Sequence, residues 1–139
     1  MNAPDAVNED QAERTLRTML RRMESVRDVE VARQVTAADT VIDLIASFRR
    51  GKTTHHILVE VKANAEPARV RSAIWQLQSA AEAFGDDVYT VLAAPYVSPA
   101  SREICRENGV GFIDFSGNAY LSVGGLEIDH RTDAKPKTE

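Results

Sequence analysis

An α/β fold, a central mixed β-sheet flanked by helices, is predicted by two features of the chain. Helix-period segments alternate with short β-branched runs in the order helix, three strands, helix, strand, helix, strand. A strand-helix-strand crossover therefore follows an antiparallel start, which requires strands of both directions in one helix-covered sheet. The 139 residues suit one domain, because a hydrophobic core needs on the order of 100 residues. We expect it over residues 9–130, between flexible tails at 1–8 and 131–139. With 43% apolar and 27% charged residues, wholesale disorder, collagen and low-complexity classes are excluded.

Leu16, Met19, Leu20, Met23 and Val26 recur at helical spacing, so the first helix is expected over about residues 9–27. Arg14, Arg17 and Arg21 share its opposite face. Val29 to Val35 and Val41 to Phe48 are β-rich, and the small polar residues between them read as a hairpin turn. Arg49 to Thr54 is a loop, and His56 to Ala63 is a third strand that pairs back on the second. Pro67 suits the first turn of the second helix, whose apolar face runs through Val70, Ala73, Ile74, Leu77, Ala81 and Phe84 to a stop at Gly85.

Val88 to Ala94 is apolar on both parities, as in a strand buried between two layers. Ser98 and Pro99 open a third helix that ends at Asn108-Gly109. Phe112 to Phe115, a Gly117-Asn118 turn, Ala119 to Val123 and Leu126 to Ile128 complete the sheet.

Cys105 is the single cysteine, which excludes an internal disulfide, and no Cys/His spacing suits zinc. The first residues lack the basic-then-apolar order of a signal peptide and no apolar run has membrane length, so a cytoplasmic location without membrane contact is expected. Lys+Arg 17 against Asp+Glu 21 argues against nucleic-acid binding by bulk charge, so any such contact must be local.

Asp43 interrupts the apolar run Val41-Ile42-Asp43-Leu44-Ile45, where a carboxylate is costly unless a cation or donor accompanies it. Glu60 and Lys62, two apart on the next strand, share one sheet face. Oxygen donors from neighbouring strands suit a hard divalent cation, magnesium or manganese, held by Asp43 and Glu60. Such a site fits phosphodiester hydrolysis, with Lys62 offsetting the negative charge of the transition state rather than acting as general base. Of four lysines, Lys62 alone lies within regular structure. On the second helix Gln76 could hold a water or phosphate oxygen and Arg69 a phosphate, although a solvated flank is the simpler reading for Arg69.

Asp43, Glu60-Val61-Lys62 and Gln76, in this order of elements, resemble the PD-(D/E)XK nuclease superfamily, with its restriction-endonuclease-like α-β-β-β-α-β-α-β core, over about residues 9–123. More narrowly, Ala94-Pro95-Tyr96-Val97-Ser98-Pro99 followed by Gly111 to Tyr120 resembles the nuclease-like domain of abortive-infection type IV antitoxins and related regulators. The resemblance implies metal binding by Asp43 and Glu60, catalysis by Lys62 and Gln76, and an acidic residue on the first helix, for which Glu13 is preferred to Glu9 because it flanks the inward face. The motif's proline is replaced by Ile42, and the separate winged-helix domain usual in antitoxin-like relatives is not expected within these residues.

Gly51-Lys52-Thr53 ends like a phosphate-binding loop, but Ala46 stands where the leading glycine belongs. His55, His56 and His130 are expected to be exposed, Cys105 to be helix core, and Asp114 to brace the Gly117-Asn118 turn. The leading expectation is a magnesium- or manganese-dependent DNA endonuclease domain in phage defence or mobile-element biology. DNA contacts are assigned to Arg14, Arg17, Arg21, Arg49, Arg50 and Lys52, in a homodimer, with a protein partner able to supply target recognition. The alternative is a catalytically inactive nuclease-like fold that serves as a protein- or nucleic-acid-interaction or dimerisation module.

Overall fold

In the computed structural model, which describes residues 3–37, 39–85 and 88–132, seven strands form one sheet in sequential order. The elements are α1 (Ala3–Arg22), β1 (Val26–Ala37), β2 (Thr40–Arg50), β3 (Thr53–Val61), α2 (Pro67–Phe84), β4 (Val88–Ala94), α3 (Pro99–Glu107), β5 (Gly111–Asp114), β6 (Ala119–Val123) and β7 (Leu126–His130). β1, β2 and β3 pair antiparallel. β3, β4 and β5 are parallel through the α2 and α3 crossovers, and β6 and β7 return antiparallel. This is the expected mixed sheet.

The two faces carry separate cores. On one, Ala12, Leu16 and Leu20 of α1 pack on Leu44, Ala46, Ile57, Val59, Val91 and Ala93. On the other, Val70, Ala73, Ile74 and Leu77 of α2, with Cys105 of α3, pack on Leu58, Leu92 and Phe112. Successive residues of β4 thus feed opposite layers, which is why that strand is apolar on both parities. In β3 the four residues from Ile57 to Glu60 are all buried, so Glu60 lies where a charge is costly.

α1 begins at Ala3 and ends at Arg22, earlier at both ends than its apolar periodicity predicted, and Val26 belongs to β1. The expected tail over 1–8 is therefore helical from Ala3 onward, while residues 133–139 of the expected C-terminal tail lie outside the described residues. β1 is longer than its pattern suggested. Asp28 and Gln34 adopt left-handed backbone, with φ of 55° and 53°, and at Asp28 the pairing with β2 shifts register, between Arg27 and Glu30, which interrupts the two-residue alternation by which a strand is recognised. α3 is capped as expected, Ser98 Oγ accepting from the Ser101 amide at 3.3 Å.

The loops that leave β3 and β4 are tied together. Ala65 bridges Val97, and Ser101 Oγ donates to the Ala65 carbonyl at 2.7 Å. Buried Asp114 accepts from the amides of Val97 (3.0 Å), Ser116 (3.0 Å) and Asn118 (2.9 Å) and from Asn118 Nδ2 (3.0 Å). Four donors satisfy its carboxylate without a cation, and the brace expected at the Gly117-Asn118 turn extends to the loop after β4. These ties fix the carboxyl ends of the parallel strands, where α/β folds open their clefts.

Candidate active site

A cleft of about 500 Å³ at the carboxyl end of β3 is lined by Asn8, Glu9, Gln34, Asp43, Glu60, Val61, Lys62, Ala63 and Arg69. Sheet geometry explains how Asp43 and Glu60 meet. The β2–β3 pairing ends at Leu44 opposite Val59, so Asp43 and Glu60 are the next residues outward on adjacent strands. Asp43 has the parity of Ile45, and Glu60 that of Leu58, both of which contact the α2-side core. In place of the next rung of the ladder, Asp43 Oδ2 accepts the Val61 amide at 2.8 Å. Lys62 continues on the same face, its amide donating to the Ala93 carbonyl at 2.8 Å.

The electrostatics follow from that placement. Glu60 is 5% exposed, and burial, reinforced by the charge of Asp43, pushes its carboxyl up to about 7. Lys62 acts in the opposite sense, its Nζ lying 3.6 Å from Glu60 Oε2. On its other side Lys62 Nζ donates to Gln76 Oε1 at 3.5 Å, so α2 orients the ammonium. The structure thus brings Asp43, Glu60, Lys62 and Gln76 together, and it puts Arg69 on the wall of the cleft rather than on a remote flank.

Two carboxylates on one face, one of them with its charge suppressed by burial, fit a divalent cation. Magnesium commonly takes only one or two protein carboxylates and keeps several waters. Among the described residues no group of three or more His, Cys, Asp or Glu side chains is arranged to hold a metal ion.

The first helix departs from expectation. Glu13 lies outside the cleft, bonded by Arg17 Nε and Arg33 Nε at 2.9 Å each. Burial opposes the ionised form, but these hydrogen bonds and the two positive charges hold its carboxyl below the ordinary value. Glu9, one turn earlier, faces the cleft and is 7% exposed. A signal for this was present in the sequence: Glu13 has Arg17 four residues ahead, the favoured orientation for a helical ion pair, whereas Glu9 has Glu13. Gln34, which lines the cleft beside Glu9, was not anticipated.

The basic residues assigned to DNA are dispersed. Arg49, Arg50 and Lys52 lie at the β2–β3 turn, about 20 Å along β2 from Asp43 at the usual strand rise. Arg21, near the far end of α1, belongs to the same end of the sheet, since β1 begins opposite Arg50. Arg50 donates to the Gly124 carbonyl at 2.7 Å, and Arg17 is paired with Glu13. Arg14 is exposed on α1. His55 and His56 are half-buried against Phe48 and Phe84, not exposed as expected, because the strand carries them under neighbouring rings. His130 is exposed. Burial pushes the Cys105 thiol up to about 12, in keeping with a core residue.

No family model and no curated protein matches this chain. Among solved structures it is similar to a repair endonuclease from Pyrococcus abyssi, with a TM-score of 0.52 and 18% identity over 64% of this chain and 39% of that one. It is also similar to EndoMS in its dsDNA2 complex, with a TM-score of 0.50 and 15% identity over 75% of this chain and 44% of that one. The class so defined is an α/β fold with a mixed sheet, shared with endonucleases. The chain spans less than half the length of either neighbour.

Proposed function

We propose that this chain is a metal-dependent phosphodiesterase domain acting on DNA, of the PD-(D/E)XK type and related to antitoxin-associated nuclease domains. The observation that supports this reading best is one cleft lined by Asp43, Glu60 and Lys62, with Gln76 hydrogen-bonded to the lysine. Asp43 and Glu60 would hold magnesium or manganese, with Glu9 also lining the cleft. The ion would supply a polarised phosphoryl oxygen and an acidified water.

The chain's own residues supply the rest. Lys62, held between Glu60 and Gln76, offsets charge that builds on the phosphoryl group. Arg69 contacts a phosphate beside the scissile bond, and Arg14, exposed on α1, contacts the DNA backbone farther from the cleft. Arg21, Arg49 and Lys52 meet DNA only when a duplex runs the length of the sheet. Two copies presenting two clefts would address two strands, and a protein partner would supply target choice. EndoMS with dsDNA2 as a fold neighbour agrees with DNA as the partner.

The test is nicking of plasmid and branched DNA with magnesium or manganese by wild type and Lys62→Ala. Cleavage that falls at least ~100-fold in the variant, with an unchanged fold by circular dichroism, supports the reading. Wild type that leaves all these substrates intact with either metal overturns it. A second reading, the same fold as a non-catalytic interaction module, is favoured by the placement of Arg49, Arg50 and Lys52 at the β2–β3 turn, away from the cleft. It requires Asp43→Ala to retain partner binding.

A further inference from the structure

Two glutamates one turn apart on α1 are held in opposite ways. Glu13 is gripped by two guanidinium groups at 2.9 Å each, so its charge is neutralised within the protein. Glu9 is held by the carboxamide of Gln34, whose Nε2 lies 3.1 Å from both carboxylate oxygens. An amide donor fixes a carboxylate without cancelling its charge. Gln34 reaches it from an unusual backbone: its φ is 53°, in the left-handed region that non-glycine residues rarely adopt. It lies opposite Asp43, in a β1–β2 register that runs unshifted from Arg33 opposite Leu44 to Val35 opposite Ile42. The distortion thus falls in the row that leads across the sheet to Asp43 and Glu60, and left-handed residues that are not glycine cluster at functional sites.

We infer that Gln34 is a positioning residue that holds Glu9 in the cleft as an unneutralised carboxylate, and so sets the affinity of the cleft for a divalent cation. The inference rests on the metal-dependent reading above. It separates Glu9 from Glu13 by chemistry: a buried carboxylate held by a neutral donor stays available to a cation, whereas one held by two arginines does not. Groups that orient metal-binding carboxylates typically affect metal affinity 10–100-fold when removed.

The backbone of Gln34 provides a variant that separates this role from a structural one. Gln34→Gly relieves the left-handed strain and removes the carboxamide. Gln34→Arg keeps a donor but neutralises Glu9. Manganese binding to the whole chain, by titration calorimetry, is read alongside the urea unfolding midpoint. Gln34→Gly is expected to bind manganese at least ~10-fold more weakly with an unfolding midpoint no lower than wild type. Gln34→Arg is expected to lose binding while folding as well as wild type, and adding Gln34→Gly to Glu9→Gln should weaken binding no further. Manganese affinities of both Gln34 variants within about twofold of wild type would overturn the role of Gln34 and leave the metal site standing. Wild type that binds no manganese would overturn the metal-dependent reading and this inference with it.

Discussion

Raising the pH from about 5 to about 8 should weaken the fold by roughly 3 kcal/mol through Glu60 alone. Its carboxyl is pushed up to about 7 from an ordinary 4.5, first by removal from water and then by the charge of Asp43. Each unit of displacement is worth ~1.4 kcal/mol between protonation states. Between those two values the folded chain keeps a proton that the unfolded chain has released, so stability falls as pH rises. The penalty is absent below the lower value, where both states are protonated, and complete above the upper one. Glu13, displaced downward, acts below its ordinary value and does not confuse this window. The assay is urea unfolding followed by far-ultraviolet circular dichroism at several pH values. Asp43→Asn is the control, because it keeps an oxygen for the Val61 amide and removes the second cause of the shift, so its pH dependence should be shallower. Magnesium at the higher pH should restore part of the loss by binding the folded state. A wild-type stability that is flat or rises across this range, or an Asp43→Asn slope equal to that of wild type, would refute the reasoning.

Asp114→Ala leaves four donors without their acceptor inside the protein and should destabilise it by roughly 3–5 kcal/mol in urea unfolding. Gly111→Ala places a methyl group 2.5 Å from Tyr89 Oη and 2.7 Å from the Tyr120 carbonyl, so thermal unfolding should register a loss of roughly 1–3 kcal/mol. Arg69→Ala should weaken binding of a short DNA duplex and lower its salt dependence more than Arg49→Ala with Lys52→Ala does, since the latter pair lies about 20 Å along β2 from Asp43.

Where burial is two-sided or caps are local, the fold was legible from the residues alone. Val88 to Ala94 and Ala119 to Val123 lie within their predicted bounds, and Ser98-Pro99 starts α3 as its capping chemistry requires. β1 was less legible because the register shift at left-handed Asp28, between Arg27 and Glu30, changes the phase of its side chains, and nothing in a polar residue announces that conformation. The start of α1 was hidden for a related reason, since its first turns lack the apolar stripe that marks the rest of the helix. In the site, parity along β3 was enough to place Glu60 and Lys62 on one face, whereas Asp43 joins them through the β2–β3 register, which the sequence does not state. Glu9 was signalled only indirectly, by the Arg17 that pairs with Glu13, and Gln34 depends on where α1 crosses the end of the sheet, a tertiary relation that strand and helix periods do not encode. The arginine and lysine assignments failed to converge for the same reason, because a basic loop in sequence says nothing of which end of the sheet it occupies.

The pairing of Asp43 and Glu60 around one cation is tested most directly by anomalous scattering from crystals of the chain soaked in manganese. The expected result is a peak within roughly 2.0–2.3 Å of carboxylate oxygens from both residues, with Lys62 outside the coordination sphere. Manganese found only on surface carboxylates, with Glu60 still paired to Lys62 alone, would contradict it.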